Sequence, residues 1–338
     1  MLLALAPMEG ISDSLVRDLL SEGGGMDFCV TEFIRVSSQP VSEKVLLRDC
    51  PELLHGGRTP AGTPVYVQLL GGDPDLVAES AVRAESLGAP GIDLNFGCPA
   101  RRVNGHDGGA SLLRTPARIE RMVGACRAKV RVPVTAKIRL GWDSSEGVED
   151  LARAAEAGGA HWLTIHGRTK VQMYRGQADW GAIARARRAV SLPVIANGDV
   201  LDPQALALCR QVSGCDRFMV GRGAFRTPNL FRWLRGIDAG PASAFARLGL
   251  LLRFAQRVLQ DSRADRPQRV ALNRLKGWVR AMGEADAAFA HMFETFKRQQ
   301  SLAEAVSQLT CERGLASKEM PILEETITAP RTSSLRAL

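Results

Sequence analysis

Eight short runs of apolar and β-branched residues recur along the first two-thirds of the chain, and this rhythm restricts the fold more than any other feature. The runs are LLALAPM (2–8), FCVTEF (28–33), VYVQLL (65–70), GIDLNFG (91–97), VTAKIRLG (134–141), WLTIHG (162–167), VIANGD (194–199) and RFMVGRG (217–223). Most gaps between them carry Ala-, Arg- and Glu-rich helical pattern, as in PDLVAESAVRAESLG and GVEDLARAAEAGG, the second closing on glycine as a helix end does. Strand and helix alternating eight times over ~220 residues is the arithmetic of an α/β protein of the (β/α)8 TIM-barrel type. An open doubly wound sheet is the alternative. It needs a glycine-rich phosphate loop after its first strand, and APMEGISDS is not one.

The alternation stops after Arg222. From about Ala242 to Gln308 the pattern is helical, with Leu248, Leu251, Leu252, Ala255 and Val258 on one face. The expected organisation is a barrel over 1–240, a smaller all-helical domain over 241–312 and a flexible tail over 313–338, since ITAPRTSSLRAL shows no periodicity.

Charge follows the same division. Between Arg232 and Gln300 there are 13 Lys and Arg against 6 Asp and Glu, a local balance of +7 in a chain whose net charge is +8. A basic helical part suits a polyanionic partner, whose attraction weakens steeply with salt. The 7 cysteines are odd in number and show no C-x-x-C spacing, which argues against a disulfide framework and a zinc site and for a reducing cytoplasm. No basic residue precedes the apolar start of MLLALAPMEG, so it reads as a buried first strand and not a signal peptide. No later stretch is long enough to span a bilayer, and a monomer is expected.

A TIM barrel carries its chemistry at the C-terminal ends of its strands, and polar residues collect there. By strand parity Lys137 and Arg139 share a face, Thr164, His166 and Arg168 follow one another, Asp93 pairs with Asn95, Tyr66 precedes Gln68, and Asn197 stands before Gly198 and Asp199. Two cations facing one barrel mouth are costly without a counter-charge, so an anionic ligand is expected. NGD ending the seventh run and GRG ending the eighth place glycine backbone and Arg222 where barrels commonly bind phosphate. A phosphate there, with Lys137 reaching from the fifth strand, describes the shape of flavin mononucleotide (FMN). Its reduced ring is negative near N1 and C2=O, and Gln68 suits its pyrimidine edge. Cys98 sits between Gly97 and Pro99 in NFGCPARRVNGHDGGASLL (95–113). Such a thiol packs, ligates a metal or reacts, and a turn after a barrel strand favours reaction.

In this order APMEG, DLNFGCP, KIRLGW, HGRT, NGD and GRGA resemble the tRNA-dihydrouridine synthases, FMN-dependent enzymes that reduce uridine in tRNA. The resemblance covers about residues 1–310. It implies that Cys98 donates a proton to C5 of uracil while reduced flavin delivers hydride to C6, and that Asn95 contacts the uracil. It implies flavin contacts from Gln68, Lys137, His166, Asn197, Gly198, Asp199, Gly221 and Arg222, with Pro7, Met8 and Glu9 against the ring. An unperturbed thiol, with pKa ~8.5, is mostly protonated at neutral pH and can act as that acid. NADPH is the family's usual reductant and, with no GxGxxG loop, is expected to dock transiently over the flavin.

Contacts to tRNA are expected from Arg101 and Arg102 in ARRVNGHDGG, from Arg35, Arg139, Arg168 and Tyr174 at the barrel, and from Arg274, Lys276, Lys297 and Arg298 in the helical part. DSLVRDLL, TEFIRV, RTPAGTPVYVQLLG and KIRLGWDS resemble the bacterial C-type subfamily, which implies U16 of the D-loop as target, with U17 and U20 as alternatives. Two other classes stay open. A small-molecule FMN barrel enzyme of the dihydroorotate dehydrogenase or enoate reductase kind would share the phosphate site without needing a basic helical part. A non-catalytic RNA-binding barrel would not need Cys98 or Lys137.

Overall fold

The computed structural model describes residues 1–100, 108–260 and 268–318. Each of the eight runs forms a strand: β1 (Leu2–Leu5), β2 (Phe28–Val30), β3 (Val65–Leu70), β4 (Ile92–Asn95), β5 (Val134–Arg139), β6 (Leu163–His166), β7 (Val194–Asn197) and β8 (Arg217–Val220). Every neighbouring pair is parallel, and β1 meets β8 on one side and β2 on the other, so the sheet closes into the expected barrel.

One strand departs from the simple pattern. After β2 a two-residue strand, Ile34–Arg35, pairs with the end of β3. Between the two pieces Thr31, Glu32 and Phe33 stand opposite only Val67 and Gln68, a bulge in which the Thr31 hydroxyl accepts the Gln68 N–H at 2.9 Å. The run FCVTEF hides this, because register depends on the partner strand and not on the run itself.

Helices α1 (Ser14–Glu22), α2 (Glu43–Asp49), α3 (Pro74–Ser86), α4 (Pro116–Lys129), α5 (Val148–Ala157), α6 (Trp180–Arg188) and α7 (Pro203–Ser213) follow the first seven strands. The short α8 (Gly223–Arg226) and α9 (Leu230–Leu234) follow the eighth. Asp-Pro pairs start two of them. Asp73 accepts from the N–H of Asp75 and Leu76, Asp202 from that of Ala205, and the proline after each needs no partner for its missing donor. On α5 the buried residues Val148, Leu151, Ala152 and Ala155 recur at helical spacing, and α7 ends on Gly214 at φ 67°, a left-handed cap.

Apolar side chains form two shells. The larger joins strand residues such as Leu3, Val67, Leu94, Ile138 and Ile165 to the surrounding helices. The smaller groups Ala4, Ala6, Phe28, Val30, Ile195 and Met219 with Tyr66 and Trp162. Phe28, Tyr66 and Trp162 lie within one residue of strand starts with ring centroids 5.1, 5.4 and 5.6 Å apart, an aromatic plug for the barrel base. Gly91 makes room for it, since a Cβ there would stand 2.3 Å from the Tyr66 ring. The barrel interior therefore opens toward the C-terminal strand ends.

Beyond the barrel lie α10 (Ala244–Gln260), α11 (Gln268–Gly283), α12 (Ala287–Phe296) and α13 (Leu302–Lys318). The last continues past residue 312, where the helical pattern was expected to give way to a tail, because Ala316 still packs against the core. Trp278 of α11 meets Phe225 of α8 and Phe254 of α10 at centroid distances of 5.2 and 5.3 Å. Ion pairs cross the same junction: Arg274 with Asp13, Arg257 with Asp18 and Glu22, Arg253 with Glu22, and Arg226 with Glu284. Among the described residues no helix is long and apolar enough to cross a membrane, no group of residues could hold a metal ion, and the cysteines are free thiols.

Arg17 of α1 is wholly buried and donates to both carboxylate oxygens of Glu52 at 2.8 Å and to the Ser12 carbonyl at 2.9 Å. Ser12 Oγ accepts the Met8 N–H at 2.7 Å, so this pair anchors the segment that leaves β1 for the mouth. Removing one partner of a buried pair strands the other charge, so Glu52→Ala is expected to cost about 3–5 kcal/mol. An unchanged urea midpoint would show that the segment is anchored otherwise.

Candidate active site

A cavity of about 560 Å³ opens at the C-terminal mouth of the barrel. Strand register assembles its polar wall: Asn95 stands beside Lys137, Arg139 beside His166, and His166 beside Asn197. Gln68 joins them from β3, and Pro7, Met8, Glu9, Gly198, Asp199, Gly221 and Arg222 come from the segments that leave β1, β7 and β8. The structure thus brings all the residues expected to touch a flavin to one cavity. Cys98, Asn95, Arg139 and Tyr174 line it as well.

A directed chain of hydrogen bonds fixes the turn that carries the thiol. Gln68 turns its Nε2 toward the Asp93 carboxylate and donates to it at 2.6 Å. This leaves Gln68 Oε1 to accept Asn95 Nδ2 at 2.7 Å. Asn95 Oδ1 then accepts the backbone N–H groups of Gly97 and Cys98, each at 2.9 Å. Burial pushes the Asp93 carboxyl above the usual carboxylate range, against the opposing hydrogen bonds from Gln68 and Thr135.

Cys98 itself is 6% exposed. Burial raises its thiol above the ordinary range and Glu9 adds to this, while the Ala100 N–H and the charges of Arg139 and Arg35 pull the other way. The net result keeps the proton on sulfur at neutral pH.

Lys137 is the main cation of the wall. Its ammonium donates to Asn197 Oδ1 at 3.0 Å, and Asn197 Nδ2 donates to the Met219 carbonyl at 2.8 Å. Burial, with Arg139 nearby, lowers its pKa to about 8. His166 is held well below its ordinary value by burial and by Lys137, Arg139, Arg168 and Arg222, so the ring is neutral. A guanidinium has no acceptor, so the 3.4 Å contact of Arg139 with His166 Nδ1 puts the ring proton on Nε2.

Two expectations about charge need correction. Arg139 does not wait for an anion: it donates to the carbonyls of Gly97 and Met173 at 2.8 Å and Thr169 at 3.2 Å, tying the cysteine turn to the loop after β6. Arg168 is 2% exposed and lies outside the cavity lining. It donates to Asp199 at 2.7 Å and to the Gly176 carbonyl at 2.6 Å. Asp199 sits at φ 58°, unusual for a residue with a side chain, held there by Arg168 and by the Ala178 N–H at 2.7 Å. Its carboxylate is therefore engaged with protein, and Arg222 approaches it at 3.4 Å from the exposed side.

The remaining expected contacts divide. The exposed ring of Tyr174 stands 5.5 Å from the Arg139 guanidinium and 6.0 Å from that of Arg222. Arg35 is half-buried outside the lining, and Arg101 and Arg102 lie outside the described residues. In the helical part Arg274 is bound to Asp13, Lys276 donates to the Gln299 carbonyl at 2.7 Å, and Lys297 pairs with Glu294 at 2.5 Å, while Arg298 is exposed. Charge reversal at Arg274 or Lys276 would thus disturb packing first. Phe33, Met219 and the orienting role of Asp93 were not anticipated from sequence. The shared parity of Asp93 and Asn95 was the available signal, and the bulge that admits Phe33 left none.

The dihydrouridine synthase family profile matches residues 4–313. The chain belongs to the dihydrouridine synthase family. Similar proteins include the tRNA-dihydrouridine(16) synthase of Salmonella typhimurium, 52% identical over 231 residues, or 68% of this chain and 74% of that protein. Those of Aquipseudomonas alcaligenes and Shewanella oneidensis are 43% and 44% identical, and the alignments cover 91% and 90% of this chain and 98% and 96% of theirs. The family match takes in every strand end described above and all but the last residues of α13.

For this dihydrouridine synthase, Lys137 gives a signed test. Its native pKa of about 8 lies below the ordinary 10.5, so the unfolded chain binds the proton more tightly and the buried charge opposes folding at neutral pH. Lys137→Met is therefore expected to gain stability relative to the wild type at pH 7 compared with pH 10, by up to about 2 kcal/mol once the lost donor to Asn197 is counted. The gain should shrink as pH rises from about 8 to 10.5. Paired melting curves that differ equally at pH 7 and pH 10 would contradict the burial of a charged lysine.

Proposed function

We propose that the cavity holds FMN and that the protein reduces a uridine of the tRNA D-loop, U16, to 5,6-dihydrouridine at the expense of NADPH. The observation that carries this reading is a buried thiol sharing one cavity with a half-buried lysine and two glycine-bearing strand ends. The names of the relatives support tRNA as substrate and position 16 as target.

The residues present fit FMN. Gly221 leaves space beside Met8, whose sulfur a Cβ would meet at 3.3 Å, and Gly198 turns at φ 120°, which admits no ordinary side chain. Lys137 carries a charge that burial disfavours and that an anionic ligand would restore. His166 offers an Nε2–H, and Arg222 is the exposed cation beside Gly221, suited to the phosphate. When bound, FMN supplies the hydride that reaches C6 of the uracil.

The protein's own groups do the rest. Cys98 gives its proton to C5, a role that needs the thiol form its burial maintains. Asn95, locked by Gln68 on one side and by two backbone donors on the other, keeps one amide hydrogen for the uracil edge. Lys137 faces the negative charge of the reduced ring. The barrel over residues 1–240 holds the cofactor, and the helical part over 241–312 with Arg35, Tyr174, Lys297 and Arg298 receives the RNA. The protein acts as a cytoplasmic monomer, for which its free thiols are suited.

Purified protein incubated with NADPH and unmodified tRNA is expected to add two hydrogens to one uridine, read by mass spectrometry, and to carry flavin absorbance near ~450 nm. Cys98→Ala should keep the flavin and lose ~100- to 10,000-fold in turnover. A colourless protein, or near-normal turnover in that variant, would overturn the reading.

A further inference from the structure

Beside the cavity, three loops of the mouth meet on one indole. The Arg114 guanidinium, at the end of the segment that follows Cys98, lies 3.7 Å from the centroid of the Trp142 ring, and the Lys170 ammonium lies 4.1 Å from it. Trp142 follows β5 and Lys170 follows β6. Their backbones are joined, since Lys170 N–H donates to the Gly141 carbonyl and Val171 N–H to that of Trp142, both at 2.9 Å.

Two like charges on one ring repel each other unless an anion joins them. Elsewhere at the mouth Arg168 and Arg222 share Asp199, and Arg139 is ringed by carbonyls. Among the described residues no ion pair joins Arg114 or Lys170 to a carboxylate. Attraction to the ring face holds both side chains in place before any ligand arrives, which lowers the ordering cost of binding. All three residues lie outside the cavity lining, so a ligand that reaches them must extend beyond the cavity.

We propose that Arg114 and Lys170, organised by Trp142, bind phosphodiester oxygens of the tRNA strand next to the reduced uridine. This rests on the function proposed above. A uridine drawn into the cavity stays joined to the strand on both sides, and that strand must cross the rim. Ala110 N–H, four residues before Arg114, donates to the Cys98 carbonyl at 3.1 Å, so a backbone contact at Arg114 sets the position of the base against the thiol.

Affinity of the flavin-loaded protein for unmodified tRNA, measured between about 50 and 200 mM salt, tests this. Arg114→Gln and Lys170→Gln should each weaken binding and flatten the slope of log affinity against log salt by about 0.7–0.9, and the double variant by about twice that. Flavin reduction by NADPH without tRNA is measured alongside. Unchanged slopes in variants of an enzyme that reduces tRNA overturn this proposal alone. Slower reduction by NADPH with unaltered tRNA affinity overturns it too, by assigning the cations to the reductant's phosphate. A wild-type protein that reduces no uridine overturns it together with the proposed function.

Discussion

A chain of hydrogen bonds that begins at a buried carboxylate holds the turn that carries Cys98. Asp93 accepts from the Gln68 amide, Gln68 accepts from Asn95, and Asn95 gathers the N–H groups of the turn that holds Cys98. With the amide of either Gln68 or Asn95 reversed, donors would face donors and the turn would lose its anchor. Below this chain of bonds Phe28, Tyr66 and Trp162 close the base, so the polar layer rests on a rigid apolar floor.

Charge is distributed by the same logic. The mouth contains Lys137, Arg139, Arg168 and Arg222, yet Asp199 and a ring of carbonyls engage the three arginines. Lys137 is left as the cation whose ionisation a ligand can govern. In the helical part, Arg253, Arg257 and Arg274 grip the acids of α1. Much of the local positive balance therefore docks the helices onto the barrel. Arg298, by contrast, is exposed, and Arg114 and Lys170 rest on the Trp142 ring.

The barrel was legible because its strands are short apolar runs separated by helical pattern, a local signal, as is the parity that puts alternate residues of a strand on one face. The cavity wall was legible for the same reason: Gln68, Asn95, Lys137, His166 and Asn197 project from adjacent strands in register. What local pattern could not supply was partnership. Arg139, Arg168 and Arg274 looked available for an anion because a sequence displays charge without its neighbour. The bulge at Thr31–Phe33 and the helical course of residues 313–318 were hidden likewise, each depending on what packs against it.

The central claim is that this mouth reduces one particular uridine of tRNA. The most direct measurement is to express the protein in a bacterial strain lacking its own dihydrouridine synthases and map the reduced base by reverse-transcription stops after alkaline ring opening. A stop at position 16 of the D-loop, absent from the parent strain, is the predicted result. No stop at any position, or one at position 20 with none at 16, would contradict the account.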